Sequence, residues 1–215
     1  DASDLSLGDS DAVSTWSDAS GNGKDVTQGT AGRKPTFRTG ALNGRPVLDF
    51  GSDVLSSSGT LDLTSGYTVF IVAKNDTRED YNGLFRVAPT VDQTKSYAEV
   101  YWQKGSSNSG SGNLVTAGTR DVNFRFDKTS DAPPPVGDSA LVTARIGSGD
   151  TDATRYINGG IQGSDQGSGS GTKYPYMADN FYWGCGFGDG TSGDEEMIDG
   201  QMAEVIAFSG DISQA

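Results

Sequence analysis

Acidic side chains are the residues of this sequence that could carry out hydrolytic chemistry. Glycoside hydrolysis needs two carboxyl groups, about 5–5.5 Å apart for retention of configuration or about 6.5–9.5 Å apart for inversion. The nearest candidates lie together in the segment Glu195-Glu196-Met197-Ile198-Asp199. Glu196 and Asp199 would fall on opposite faces of a strand, whereas Glu195 and Asp199 would share a face. This spacing provides no convincing acid–base pair, so we predict that the chain has no catalytic residues and is not an enzyme.

The same acidic region offers oxygen ligands for calcium. Residues 189–196 read Asp-Gly-Thr-Ser-Gly-Asp-Glu-Glu, which supplies four carboxylates, two hydroxyls and two glycines that allow tight turns. Calcium prefers carboxylate and carbonyl oxygens on an adaptable loop. We therefore expect Asp189, Asp194 and Glu195 as possible metal ligands, with Asp150-Thr151-Asp152 as a smaller alternative. A solvated acidic turn is the competing interpretation.

Aromatic side chains beside polar groups are what carbohydrate recognition requires. Tyr97 and Tyr101 share one face of a predicted strand and Trp102 occupies the other, so one of the two sets is expected in the core. Tyr176 belongs to a Tyr-Pro-Tyr loop. We predict ligand contacts for Tyr101 and Tyr176.

Several classes of function are excluded by the composition. The chain has no histidine, which removes Ser-His-Asp and Cys-His catalysis and histidine-ligated zinc. Its one cysteine, Cys185, lies in an apolar run and is expected to be a buried thiol. The net charge of −13 argues against nucleic acid as a partner, because phosphate binding needs clustered Lys and Arg. No stretch approaches the roughly 20 apolar residues of a membrane span, so membrane insertion is not expected.

Short β-rich runs between turn-forming residues predict an all-β chain. The apolar runs at 67–73 and 203–208 scarcely alternate, which is typical of central strands covered on both faces. Asn158-Gly159 predicts a tight hairpin. Strands are expected at Pro46–Phe50, Tyr67–Lys74, Leu84–Val87, Tyr97–Gln103, Leu114–Ala117, Val122–Phe126, Leu141–Ile146, Arg155–Ile157, Asn180–Phe187 and Gln201–Phe208. Long loops are expected at 105–113, 131–138 and 163–172.

The segment from Trp16 to Gly23 combines one large apolar anchor with a run of turn formers. Gly21 and Gly23 accept positive φ at little cost, and Asp18 and Ser20 can hydrogen-bond the nearby backbone. This pattern predicts a turn that is pinned to the core by Trp16. Trp183 is likewise expected to pack in the core.

An ordered set of segments resembles the LamG-like jelly-roll domains of the concanavalin A-like lectin and glucanase superfamily. The resemblance lies in 16–23, 35–37, 41–50, 67–74, 156–159 and 198–206. It implies an all-β jelly-roll sandwich of two antiparallel sheets. The glucanases of the superfamily carry their carboxylates as Glu-x-Asp-x-Glu on one strand, a pattern that residues 195–199 do not reproduce. Calcium is common in related modules.

We therefore expect one domain over residues 1–215. Because resembling domains usually begin with a short strand a few residues earlier, and continue into a helix and closing strand, we expect a module of a longer protein with both ends cut. The function expected is non-catalytic recognition or adhesion, with a glycan or surface protein as partner, outside a cell or on a virion. The alternative is a structural decoration or fibre domain of a phage or other assembly, acting by protein–protein contact with homo-oligomer or capsid neighbours.

Overall fold

The fold is described from a computed structural model of the chain. It describes residues 1–57, 59, 61–62, 66–77, 82–88, 96–103, 114–118, 134–147, 152–166, 177–178, 180–184, 197–210 and 212. Short 3-10 helices occupy Ala2–Asp4 and Ala31–Arg33. The strands are β1 (Thr15–Trp16), β2 (Val26–Thr27), β3 (Thr36–Leu42), β4 (Arg45–Gly51), β5 (Leu55–Ser57), β6 (Leu61–Asp62), β7 (Gly66–Asn75), β8 (Asn82–Ala88), β9 (Ser96–Gln103), β10 (Leu114–Gly118), β11 (Ser139–Gly147), β12 (Asp152–Ile157), β13 (Gly160–Gln166), β14 (Met177–Ala178), β15 (Asn180–Trp183) and β16 (Asp199–Ser209).

Two seven-stranded antiparallel sheets form the molecule. Sheet A has the order β13-β12-β11-β7-β16-β4-β3, and sheet B has the order β1-β2-β5-β15-β8-β9-β10. β6 and β14 pair separately. Two antiparallel sheets with almost no helix make a jelly-roll sandwich, as the sequence predicted.

Alternation along β7 shows how the sequence builds the sandwich. Tyr67, Val69, Ile71 and Ala73 all point into one continuous core, since successive side chains on a strand point to opposite faces. Sheet B supplies the facing layer of this core through side chains that are buried in the same cluster. These are Leu55, Phe85, Val87, Val100, Trp102 and Phe181.

β16 departs from its predicted burial. It does lie inside sheet A, between β7 and β4. However, Ile206 is 40% exposed and Phe208 is 43% exposed, so the expectation of two covered faces is wrong for the second half of the strand. The physical reason is that β4 accompanies β16 only over residues 199–202.

Two further predictions are corrected. The strand expected at Asn180–Phe187 ends at Trp183, because Gly184 has a φ of +85° and donates its N–H to the carbonyl of Leu84. The loop expected at 163–172 begins later, because residues 163–166 belong to β13 and pair with β12. The Asn158-Gly159 turn is confirmed, with φ values of 52° and 78°. The predicted strand at 122–126 and the loop at 105–113 lie outside the described residues.

Candidate functional site

The burial of alternate residues fixes which face each position of β9 belongs to. Val100 is fully buried and Trp102 is 1% exposed, and both belong to the core. Trp102 is therefore the member of its aromatic set that packs inside. By strand alternation, position 101 falls on the opposite face, the outer face of sheet B. Positions 97, 99 and 103 share it, so the sequence places Tyr, Glu, Tyr and Gln along one row.

The neighbouring strands add a buried cation to this outer face. The register places Tyr182 of β15 opposite Arg86 of β8, and Arg86 opposite Glu99 of β9. The Arg86 guanidinium carbon lies 5.2 Å from the centre of the Tyr182 ring, which is a cation–π distance. Arg86 is fully buried, so its charge is fixed in place beside β9. Sequence reasoning did not find this pair, since a single arginine in a strand gives no sign of its burial.

Apolar side chains cover Tyr182 on the same face. Val54 and Met197 pack against it in a small cluster that is separate from the main core. Asp53 lies next to Val54 in the chain, and burial raises the pKa of its carboxyl group. Asp53 also accepts a hydrogen bond from the backbone N–H of Gly51 at 3.1 Å. The outer face thus combines a rigid apolar support with polar positions along β9.

A second concave region lies where the two sheets part at one edge. This edge cleft has a volume of about 590 Å³. Sheet B contributes Phe85, Phe181 and Trp183 to its lining, and β16 contributes residues 204–207 and Ser209. The turn after Trp16 and residue Asp1 form its rim.

Aromatic packing holds the sheet B wall of the edge cleft. Trp16 is almost completely buried, which confirms its predicted place in the core. Its ring meets the ring of Trp183 edge to face, with the ring centres 4.9 Å apart. Trp183 is partly buried and packs against the core, and it also contacts Phe181, with ring centres 6.2 Å apart.

The turn at the rim forms as the sequence predicted. The two carboxylate oxygens of Asp18 accept hydrogen bonds from the backbone N–H groups of Ser20, at 2.8 Å, and Lys24, at 2.9 Å. Gly21 and Gly23 both have positive φ, at 81° and 67°. Hydrogen bonds from Ser20, followed by that from the Lys24 backbone, hold the pKa of Asp18 below its usual value.

The other predicted site residues are not brought together by the described structure. Tyr176, Asp189, Asp194 and Glu195 lie outside the described residues, and the Tyr101 side chain does too, although its backbone belongs to β9. Among the residues that are described, no group of three or more Cys, Asp or Glu side chains is placed to hold a metal ion. The same residues contain no helix of sufficient length and apolarity to span a membrane.

Comparison with known proteins identifies the fold class. No family model matches the sequence, and no curated protein matches it. Among solved structures, the chain resembles domain 4 of AbnA, an extracellular arabinanase from Geobacillus stearothermophilus solved with arabinotriose. The two are 14% identical with a TM-score of 0.65, and 96% of each chain is covered.

Two more solved structures share the architecture. A pentraxin from Limulus polyphemus is 16% identical with a TM-score of 0.56, covering 74% of this chain and 71% of its own. A carbohydrate-binding domain (CBM40) of a sialidase from Ruminococcus gnavus, bound to sialyllactose, is 15% identical with a TM-score of 0.53, covering 74% of this chain and 94% of its own. At these identities the likeness shows the fold, which is the concanavalin A-like jelly roll that the sequence resembled.

Proposed function

We propose that this domain is a non-catalytic carbohydrate-recognition module that binds a short glycan across β9 on the outer face of sheet B. The observation that carries the proposal is the row of positions 97, 99, 101 and 103, which alternates tyrosine with a carboxylate or an amide. Successive members of the row are about 6.7 Å apart along the strand. Tyrosine rings can stack on the apolar faces of sugars while the polar side chains bind hydroxyls.

The strands beside β9 support such a surface. Arg86 and Tyr182 are buried and packed together, so the sheet next to the row is rigid. A site on a rigid strand loses little conformational entropy when it binds a ligand. In this proposal Arg86 positions the surface and does not contact the sugar.

Non-catalytic binding fits the carboxylates of the row. Hydrolysis of a glycosidic bond uses two carboxyl groups that face the same bond. Here Glu99 is flanked by Tyr97 and Tyr101 at the alternate positions, so the row carries a single carboxylate. It can accept hydrogen bonds from sugar hydroxyls but has no partner in the row for acid–base catalysis.

The proteins that share the fold support the ligand class and the location. Their titles describe one domain in complex with arabinotriose and another bound to sialyllactose, and the arabinanase is extracellular. We accordingly propose an extracellular position for this domain and neutral or sialylated oligosaccharides as the first ligands to test.

The test compares glycan binding by the intact domain and by two variants. A glycan array is followed by calorimetry with the best ligand, with arabinotriose and sialyllactose included. We expect Tyr101→Ala to weaken binding about tenfold or more, because one stacking contact is lost. Tyr156→Ala, a half-buried tyrosine on β12 of sheet A, is the matched control and should bind within about twofold of the intact domain.

Repeating the titration with calcium and with a chelator tests whether Asp189, Asp194 and Glu195 hold a metal ion that the ligand needs. No glycan bound above background on the array, or equal affinities for Tyr101→Ala and Tyr156→Ala, would overturn the assignment. Light scattering of the domain adds the oligomeric state. A stable oligomer that binds no glycan favours the structural assembly role instead.

A further inference from the structure

One side of β16 is unpaired over the second half of the strand. β16 pairs with β7 from Gly200 to Ser209, but with β4 only from Asp199 to Met202. In the described part of the chain, no strand runs along the other side of residues 204–209. Such an edge presents backbone N–H and C=O groups at alternate residues, which is a template for another strand.

The edge cleft lies directly against this unpaired edge. Val205 and Ala207 of β16 line it, and their side chains belong to the face of sheet A that points toward sheet B, since they pair with the core residues Ile71 and Val69. The opposite wall includes Phe181 and Trp183. The cleft is therefore a continuation of the apolar layer between the two sheets, open to solvent at the edge.

Trp183 adds an unsatisfied hydrogen-bond donor to this wall. Its indole Nε1 is buried and has no hydrogen-bond partner in the structure. Buried donors normally find an acceptor. A backbone carbonyl placed in the cleft would supply one.

We propose that the edge cleft and the free edge of β16 together form a seat for one extended peptide strand with apolar residues at alternate positions. Backbone hydrogen bonds to β16 would extend sheet A, and alternate apolar side chains would fill the cleft between Ala207 and the aromatic wall. The six residues from Glu204 to Ser209 span about 20 Å, the length of a six-residue strand. A glycan could not satisfy a regular row of backbone groups in this way.

This seat is separate from the glycan surface that we propose on the outer face of sheet B. The glycan row lies on β9 of sheet B, whereas the seat uses the edge of β16 in sheet A and the inner aromatic wall. Loss of one activity by mutation is expected to leave the other intact, so the two proposals can fail independently.

Peptide binding to the intact domain tests the seat. The probe is a labelled six-residue peptide that alternates valine and threonine, and its control has the same composition with the three valines together. We expect the alternating peptide to bind and to slow amide hydrogen exchange at alternate residues within 204–209. At 90% occupancy the slowing should be about tenfold, because exchange then proceeds only from the free tenth of the molecules.

Two variants on β16 distinguish the two faces of the strand. Ala207→Asp places a carboxylate in the cleft and should weaken peptide binding about tenfold or more. Phe208→Asp introduces the same charge on the other face, at a residue that does not line the cleft, and should bind within about twofold of the intact domain. Both positions are exposed, so neither change is expected to prevent folding.

A further arm joins the alternating peptide ahead of Asp1 through a flexible linker, since Asp1 lies at the rim of the cleft. In this form the amides of 204–209 should be protected without added peptide, and free peptide should no longer bind. The proposal is overturned if the control peptide protects residues 204–209 equally, if Ala207→Asp binds like the intact domain, or if the joined form still binds free peptide. Protection of 204–209 that instead follows self-association of the domain identifies a second copy as the occupant and also overturns it.

Discussion

Both oxygens of the Asp18 carboxylate hold the turn that closes the rim of the edge cleft. One accepts the backbone N–H of Ser20 and the other accepts that of Lys24. The backbone N–H of Asp18 itself donates to Asp25 at 2.7 Å. Because hydrogen bonds of this kind favour the ionised form, the pKa of Asp18 lies below its usual value in the folded chain.

Replacing Asp18 with asparagine should destabilise the domain in a pH-dependent way. Asparagine keeps one acceptor oxygen and loses the other, so the backbone N–H of Lys24 loses its carboxylate partner. We expect a loss of about 1 kcal/mol at pH 7, reduced for the exposure of this turn, and a fall in melting temperature of about 2–4 °C.

The sign of the pH dependence follows from the lowered pKa of Asp18. A carboxyl group whose pKa is lower in the folded state contributes stability above its unfolded pKa, near 3.8, and loses it as the pH falls through the folded pKa. The difference in unfolding free energy between the intact domain and Asp18→Asn should therefore shrink as the pH falls from 7 to 3. Urea titrations at both pH values measure it. Asp138→Asn removes the same charge from an exposed residue, and an equal loss of stability there would contradict the role of the turn.

At the scale of single elements, the closest contact of the fold is the crossing of β16 and β7 at Gly200. A Cβ atom built on Gly200 would lie 2.2 Å from the carbonyl oxygen of Lys74, a distance that no side chain can occupy. Gly200 pairs with Asn75, the last residue of β7. The glycine therefore allows the two strands to approach each other where residues 197–199 enter sheet A.

Gly200→Ala should be strongly destabilising. The added methyl group meets backbone and not a flexible side chain, so the strands must separate, at a cost of about 3 kcal/mol or more. Gly51→Ala is the matched control, because Gly51 ends the neighbouring strand β4, pairs with Asp199 and has open space around its Cβ position. Thermal unfolding of the two variants measures the difference. Similar melting temperatures would show that β16 and β7 can move apart at little cost.

Strand ends also decided which sequence predictions failed. The apolar run after Asn180 continues to Phe187, yet the strand stops at Trp183 because Gly184 turns beneath Phe50. The short pairings of β1, β2 and β5 were not predicted, since two- or three-residue strands rich in Ser and Thr carry no periodic signal of their own. They exist because long-range register places Thr27 beside Ser56 and Ser56 beside Tyr182.

At the scale of the whole molecule, the sequence predicted the scaffold better than the surfaces. Trp16 and the glycines after it specify a turn through local chemistry, and β7 specifies a core strand through its apolar pattern, so both were predictable. The burial of Arg86 and the edge cleft depend on what lies across a sheet and on where β4 leaves β16. These are properties of packing between distant segments, which a linear pattern does not contain.

Net charge is the last property of the whole molecule that makes a testable difference. The chain carries 29 acidic and 16 basic residues, so the folded state concentrates like charges that the unfolded chain can spread apart. Its ion pairs at Arg38–Asp49 and Lys74–Asp76 are partly exposed and offset little of this repulsion. We expect sodium chloride to raise the melting temperature by a few degrees, with most of the rise complete near 0.15 M, where the screening length falls to about 8 Å. Calorimetry across a salt series measures this rise, and sucrose at matched osmolality is the control for general exclusion effects. A melting temperature that falls with salt would mean that the exposed ion pairs outweigh the acidic repulsion, whereas a rise that continues linearly to high salt would point to the apolar core and away from charge.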